Sequence, residues 1–91
     1  MYFYSENIIG CISADITMVM PSGDIYAGKF DRSKADFNSD LKEQKIWQIT
    51  KTRVSQDNGT TTYETLYPEG CKAFAYAWSD AETLSYSYNK N

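Results

Sequence analysis

The sequence contains no histidine, so it lacks the commonest general base and the commonest metal ligand of proteins. It has only two cysteines, Cys11 and Cys71, which are too few for a disulfide framework. We expect both to be small buried hydrophobic residues in a reducing compartment. Glycine-rich phosphate loops, serine nucleophile motifs and calcium-loop spacings are also missing. We therefore expect no catalytic residue, no metal, no cofactor and no small-molecule substrate: this chain is predicted not to be an enzyme.

Positive charge and long apolar runs are scarce as well. Nine Lys and Arg residues stand against twelve Asp and Glu residues, a net charge of −3, and the basic residues are scattered from Lys29 to Lys90. Nucleic-acid binding relies on grouped cations, so we expect no nucleic-acid partner. No run of about 18 apolar residues exists to span a bilayer, so we expect no membrane association. Met1 to Glu6 has no basic stretch before an apolar one, and we expect no secretory signal there.

Aromatic residues, in contrast, make up 15% of the 91 residues. A chain of this length forms one domain, predicted to span residues 1–91, and buries only about 60–65% of its unfolded surface. Large aromatic side chains compensate for such a thin core. The eight tyrosines fit either a contact surface or the half-buried face of a sheet, and the composition does not separate the two.

Alternating apolar and polar residues predict an antiparallel β-structure. Residues 8–20 carry apolar side chains at even positions, a turn follows at 21–24, and 24–30 returns as the second strand of a hairpin. A second hairpin is predicted at 46–55 and 60–67, because Asn58-Gly59 is a strong two-residue turn signal. Residues 84–88 alternate and form a closing strand.

Two segments are ambiguous. Residues 31–45 are rich in charge of both signs and fit a short surface helix or a solvated loop equally well. Residues 71–83 fit a strand or a helix, and the alanines favour a helix. The predicted fold class is therefore mainly β: a small antiparallel sheet or sandwich of about five strands with one or two short helices. The apolar positions of these elements predict a core of Ile12, Ile16, Met18, Trp47, Ile49, Phe74, Trp78 and Leu84.

The first strand is unusually long for so small a domain. Thirteen residues would span roughly 43 Å, about twice the usual length of a strand. Its surplus apolar surface predicts an interface with another chain, and we assign to it Tyr2, Phe3, Tyr4, Ile9 and Val19. If the strand instead breaks near Gly10, these aromatic residues fold back onto their own domain.

The carboxylates are dispersed along the sequence. An assembled pair such as Asp15 with Glu64 has no support from spacing, and we do not expect a paired-carboxylate site. The acidic residues between 31 and 40 lack the alternate-residue spacing of a calcium loop and are interpreted as a solvated face.

The C-terminal half resembles small proteins from the morphogenesis regions of tailed bacteriophages. The matching elements within residues 46–88 are Trp47-Gln48-Ile49, Tyr67-Pro68-Glu69-Gly70, the Phe74 to Trp78 element and the polar stretch from Trp78 through Leu84 to Tyr86. The chain keeps Asp80 after the tryptophan but has Ser79 and Ala81 where that family places polar and basic side chains. The arginine that this family often places after the acidic residue is absent, so an ion pair made by it is not expected here.

This resemblance implies a virion-associated role as a capsid, neck or tail accessory component, assembled in the cytoplasm of the bacterial host. The implied partners are other virion proteins and copies of the chain itself. Two other functions stay open: a small acidic inhibitor that blocks a host defence or nucleic-acid-binding protein, and a bacterial domain with another role. The weak net charge makes the inhibitor the second choice.

Overall fold

A computed structural model describes residues 14–90 and shows a mainly β fold. Five antiparallel strands lie in one sheet in chain order, which is a meander. The strands are β1 (Ile16–Val19), β2 (Ile25–Phe30), β3 (Trp47–Asp57), β4 (Thr60–Pro68) and β5 (Tyr86–Ser87). Of the two architectures predicted, sheet or sandwich, the described residues form the single sheet.

The predicted hairpins are confirmed, with changed bounds. Within the described part of the long first strand, the strand itself is reduced to Ile16–Val19, and the Asp15 N–H adds one backbone bond to the Gly28 carbonyl. Residues 8–13 lie outside the description. The strands β3 and β4 continue past their predicted C-terminal ends at 55 and 67, to Asp57 and Pro68. The closing strand is reduced from 84–88 to Tyr86–Ser87.

The helix predicted over 71–83 is wrong. Tyr76 instead pairs with Trp47, through N–H···O bonds of 2.8 and 3.2 Å in the two directions, and only a single 3₁₀ turn follows, at Trp78–Asp80. This backbone pairing outweighs the modest helix preference of the alanines. The charged segment 31–45 is mostly turns, with one 3₁₀ turn at Leu41–Glu43. Neither of these segments contains an α-helix.

The core lies on one face of the sheet. Its buried members are Tyr26, Ile46, Trp47, Ile49, Trp78 and Ala81. The residues between 31 and 45 and those after Tyr76 run across this face, and the indole N–H of Trp47 donates to the Leu41 carbonyl over 2.8 Å. The sequence therefore encodes one layer of side chains beneath two irregular segments rather than a second sheet.

The predicted core is confirmed in part. Trp47, Ile49 and Trp78 are buried, whereas Ile16, Met18 and Leu84 are half-buried against the same cluster. Phe74 is only half-buried and is not a member of that cluster, because the segment that carries it is not the predicted helix. Ile12 lies outside the described residues.

Gly28 explains how the second tryptophan is accommodated. A Cβ atom at this position would lie 2.6 Å from Cε3 of Trp78 and 3.0 Å from Cε3 of Trp47. The two indole rings, with centroids 5.8 Å apart, therefore lie against a strand that has no side chain at that point. The close approach requires glycine.

The strand β3 changes its neighbours along its length. Its first part, Trp47 to Thr52, pairs with β2, and its second part, Lys51 to Asp57, pairs with β4. The two ladders overlap only at Lys51 and Thr52. Beyond this point, within residues 14–90, β3 and β4 pair only with each other, so a two-stranded hairpin extends past the core, and the principal extents are 48 × 29 × 21 Å.

Candidate interaction surfaces

Residues 53–64 form this extension, which we call the arm. Ten of its twelve residues are exposed, and Val54 and Glu64 are half-buried. At the tip, Asn58 and Gly59 have φ values of 50° and 81°, the positive pair that defines a type I′ turn and that few other residues adopt without strain. Five residues on each strand give the arm a length of roughly 16 Å.

Threonine and tyrosine dominate the β4 side of the arm, where Thr60, Thr61, Thr62 and Tyr63 follow one another. β-Branched and aromatic residues favour extended backbone even where no core covers them. Val54 faces Tyr63 across the two strands, and the tyrosine is 39% exposed. The arm is thus a regular, largely polar hairpin that buries almost nothing.

A charged cluster holds the base of the arm. Arg53 lies opposite Glu64, and its guanidinium contacts Oε1 of that carboxylate over 3.1 Å, while the Tyr88 hydroxyl donates to Oε2. The Tyr88 hydrogen bond, followed by Arg53, lowers the pKa of Glu64 below its ordinary value. The same bond raises the pKa of the Tyr88 phenol, because losing its proton would place two anions side by side. The cluster links the arm to the C-terminal strand region.

The two edges of the arm differ. On the β3 edge, where β2 ends, the Asp24 carboxylate accepts a hydrogen bond of 3.2 Å from the Val54 N–H through Oδ1. Its Oδ2 lies 3.9 Å from Nζ of Lys51. The Asp24 side chain therefore occupies the Val54 N–H, which is the first backbone donor of β3 that a longer β2 would have paired. This edge is partly closed to another strand.

On the β4 edge of the arm, no side chain from residues 14–90 caps an outward backbone group in this way. In a two-residue hairpin the residues that flank the turn, Asp57 and Thr60, bond to each other, so alternate residues of β4 direct their N–H and C=O groups outward. Within the arm these residues are Thr61 and Tyr63. No backbone hydrogen bond between described residues occupies their outward groups. Both side chains are exposed.

A second exposed feature is Phe37, which is 64% exposed in the segment 31–45. The Gln44 side chain accepts from the Asp36 N–H over 2.9 Å and donates to the Asp36 carbonyl over 2.8 Å. The Phe37 and Phe30 rings form an edge-to-face pair, with centroids 6.1 Å apart. A loop held by these hydrogen bonds thus presents an exposed aromatic ring.

Of the predicted interface residues, the structure describes only Val19, which is 66% exposed at the end of the edge strand β1. Tyr2, Phe3, Tyr4 and Ile9 lie outside the described residues, so that interface stays a prediction. The arm was not among the predicted sites. The cue in the sequence was a long polar run that begins after Ile49 and continues through both strands of this hairpin. Only Val54 and Tyr63 interrupt it, and a strong turn joins the two strands.

The carboxylates do not converge. Asp15 accepts from Nη2 and Nη1 of Arg32, at 3.0 and 3.3 Å, and from the Phe30 N–H at 3.1 Å. The Arg32 hydrogen bond is the main reason why the pKa of Asp15 is below its ordinary value. Glu64 pairs with a different arginine in the arm, so the two carboxylates considered above are engaged separately. Within residues 14–90 no group of three or more His, Cys, Asp or Glu side chains is placed to hold a metal ion.

Cys71 is a free thiol that is half-buried rather than buried as predicted, and its sulfur accepts a weak bond of 3.4 Å from the Ala73 N–H. It lies in the turn that follows β4, where Glu69 and Gly70 have positive φ. Cys11 is outside the described residues.

Burial is the main cause that raises the pKa of the Tyr76 phenol, which donates to the Pro68 carbonyl.

Comparison with known proteins found no matching family model, no matching curated protein and no matching solved structure. None of the described residues belongs to a helix long and apolar enough to cross a membrane.

Proposed function

We propose that the protein is a non-enzymatic structural component that acts through protein–protein contacts made by the arm. The observation that carries the proposal is the register of β3, which leaves its β2 partner at Thr52 and continues for five residues beside β4 alone. A two-stranded hairpin is only marginally stable by itself. Such an extension adds little to folding, whereas it offers exposed backbone and side chains to another protein.

The particle that we propose is a tailed-phage virion, in which the chain serves as a capsid, neck or tail accessory component. The resemblance within residues 46–88 supports this proposal. Its elements lie in the body of the sheet: Trp47 to Ile49 begin β3, and Trp78 packs on the core. The family pattern also has a hairpin between the Trp-x-Ile element and the acidic turn, and the arm is the outer part of that hairpin in this chain. The partners would be other virion proteins, met in the cytoplasm of the bacterial host.

Shortening the arm tests the proposal. Deleting Ser55, Gln56, Thr61 and Thr62 removes two opposed pairs and retains both the turn and the alternation of faces. Because these residues are exposed, we expect the melting temperature of the variant to stay close to that of the parent. Its copy number in purified virions, measured by quantitative mass spectrometry, should fall to background. Phe37→Ala is the control, since it removes an exposed ring elsewhere.

Incorporation of the shortened chain at the parental copy number would exclude the arm as the contact. Absence of the parent itself from purified virions would exclude the virion assignment.

The alternative of a small acidic inhibitor has less support. Asp15, Asp24 and Glu64 each lie within 4 Å of a basic side chain, so their charge is locally balanced. Mimicry of nucleic acid relies on a field of one sign. We therefore retain the structural role as the conclusion.

A further inference from the structure

We propose that the partner of the arm is a second copy of this chain, with the β4 strands of two arms pairing antiparallel about a two-fold axis at Thr62. The proposal rests on the proposed function and names the contact made by the arm. Pairing would continue the sheet from one molecule into the next, which is the mode known as strand addition.

The open groups of β4 define the geometry of the pair. Because the outward N–H and C=O groups belong to Thr61 and Tyr63, an incoming antiparallel strand must place its own outward residues opposite these two. With the axis at Thr62, Thr61 of each copy faces Tyr63 of the other, and both hydrogen-bonded pairs form. The two Thr62 residues then face each other as a non-hydrogen-bonded pair.

The β4 sequence lacks most of the devices that usually protect an edge, and its one charged residue there, Glu64, is paired with Arg53. Proteins prevent edge pairing with lysine, proline, bulges or inward charges. From Thr60 to Thr65 there is no lysine or proline, and the ladder with β3 is regular through the arm. On the other side of the arm, by contrast, Asp24 occupies the Val54 N–H. Among residues 14–90, therefore, one edge of the arm is capped by a side chain, and the outward backbone groups of the other edge are not.

Charge and side-chain type make β4 complementary to itself. In the proposed register Glu64 faces Thr60 of the second copy, so no two carboxylates are opposed, and Arg53 already contacts Glu64 within each arm. Threonine facing tyrosine is a favourable cross-strand pair, and it would cover part of the tyrosine ring that is now exposed. A two-fold contact of this kind closes on itself and stops at a dimer.

Only a few residues on each strand take part, so the interface is small and the dimer is expected to be weak and dependent on concentration. Sedimentation equilibrium of the full chain, at protein concentrations up to about 1 mM, is suited to this range of affinity. We expect the weight-average mass to rise from one chain towards two.

Two proline variants test which edge is used. Thr61 and Gln56 are directly opposed in the arm, and each directs its N–H outward, one on the β4 edge and one on the β3 edge. Proline at either position removes an outward donor without removing a bond between β3 and β4. We expect Thr61→Pro to abolish the mass increase and Gln56→Pro to preserve it. Circular dichroism verifies that both variants are folded.

A parent that stays monomeric throughout, or equal behaviour of the two variants, would overturn the proposal.

Cysteine cross-linking gives a test that does not depend on the tolerance of the arm for proline. With Cys11 and Cys71 changed to serine, Thr62→Cys should form a disulfide-linked dimer on oxidation. The reason is that facing Cα atoms of a non-hydrogen-bonded pair lie about 4.5 Å apart, within disulfide range.

Ser55→Cys is the matched control, because Ser55 lies opposite Thr62 on the same face of the arm but on β3. Equal cross-linking of the two variants, or none with Thr62→Cys, would contradict the two-fold axis at Thr62. These measurements use the isolated protein and no virion. If the protein is a monomer and its arm is still required for virion incorporation, only self-pairing is rejected. If the protein dimerises but is absent from virions, only the virion role is rejected.

Discussion

The body of the sheet and the arm use the same two strands and the same antiparallel ladder, yet they differ in what the strands bury. Along β3, Trp47 and Ile49 are buried, whereas Arg53, Ser55 and Asp57 on the same face are exposed. Pairing therefore continues about 16 Å beyond the point where burial ends. Hydrogen bonds and β-favouring residues are sufficient to shape a hairpin, but apolar burial determines which part stabilises the fold.

The largest expected difference between the two regions comes from Trp78. Its side chain is 8% exposed and packs against Trp47 and Gly28, so Trp78→Ala should lower the free energy of unfolding by about 3–5 kcal/mol. Chemical denaturation measures the loss. Phe37→Ala, at a ring that is 64% exposed, is the control and should change stability by less than about 1 kcal/mol. Similar losses in both variants would mean that Trp78 is not part of the core.

Adding a single methyl group to the body should have the next largest effect. In Gly28→Ala the new Cβ would lie 2.6 Å from the Trp78 ring, and we expect a loss of about 1–3 kcal/mol from overpacking. Ala27→Ser adds one atom to the next residue of β2, on the opposite face of the sheet, and should cost less. Both are measured by thermal and urea unfolding. A neutral Gly28→Ala would contradict the close approach of the two tryptophans.

The ion pair of Asp15 and Arg32 should contribute less than either core position, because the arginine side chain is 63% exposed and solvent screens the pair. A double-mutant cycle with Asp15→Asn and Arg32→Met at neutral pH measures this coupling. The folded-state pKa of Asp15 is below its ordinary value of 3.8, so its stabilising effect is present above that pH. It is lost as the pH falls through the lowered pKa. Coupling that stays constant while the pH is lowered until Asp15 is protonated would show that charge is not its source.

The smallest effect on global stability is expected at the tip of the arm. Asn58→Ala places alanine at a φ of 50°, which costs about 1–2 kcal/mol locally. The melting temperature should hardly change, because the arm buries little. Native-state hydrogen exchange should instead show faster exchange at Ser55 and Thr62, with the amide of Ile49 unaffected. Equal acceleration in both regions would show that arm and body unfold as one unit.

The fold was largely predictable because its local signals agree with its tertiary structure. Asn58-Gly59 between two β-rich runs predicts the hairpin, and the structure shows the type I′ turn at that position. The turn after Met20 likewise joins β1 and β2. Alternating residues identified Trp47 and Ile49 as core, because the period of a strand fixes which side chains share a face.

The remainder depends on contacts between residues that are distant in sequence. Alanines alternating with Phe74, Tyr76 and Trp78 give a periodicity that fits either a strand or a helix, and only the backbone pairing of Tyr76 with Trp47 decides between them. The arm depends on where β2 ends relative to β3. No local pattern states that Ile25 pairs with Thr52 and that Asp24 caps the next donor, so the arm could not be located from the sequence.

The change of neighbours along β3 also has a mechanical consequence. The strand runs without a break from the arm into the body, where six residue pairs join it to β2. Hydrogen bonds in an antiparallel ladder lie perpendicular to the strands, so a pull along the arm loads all six pairs in shear at the same time. A pull perpendicular to the strands breaks the six pairs one after another. A molecule held by its arm would thus resist tension along the strand axis far better than a force that peels it away.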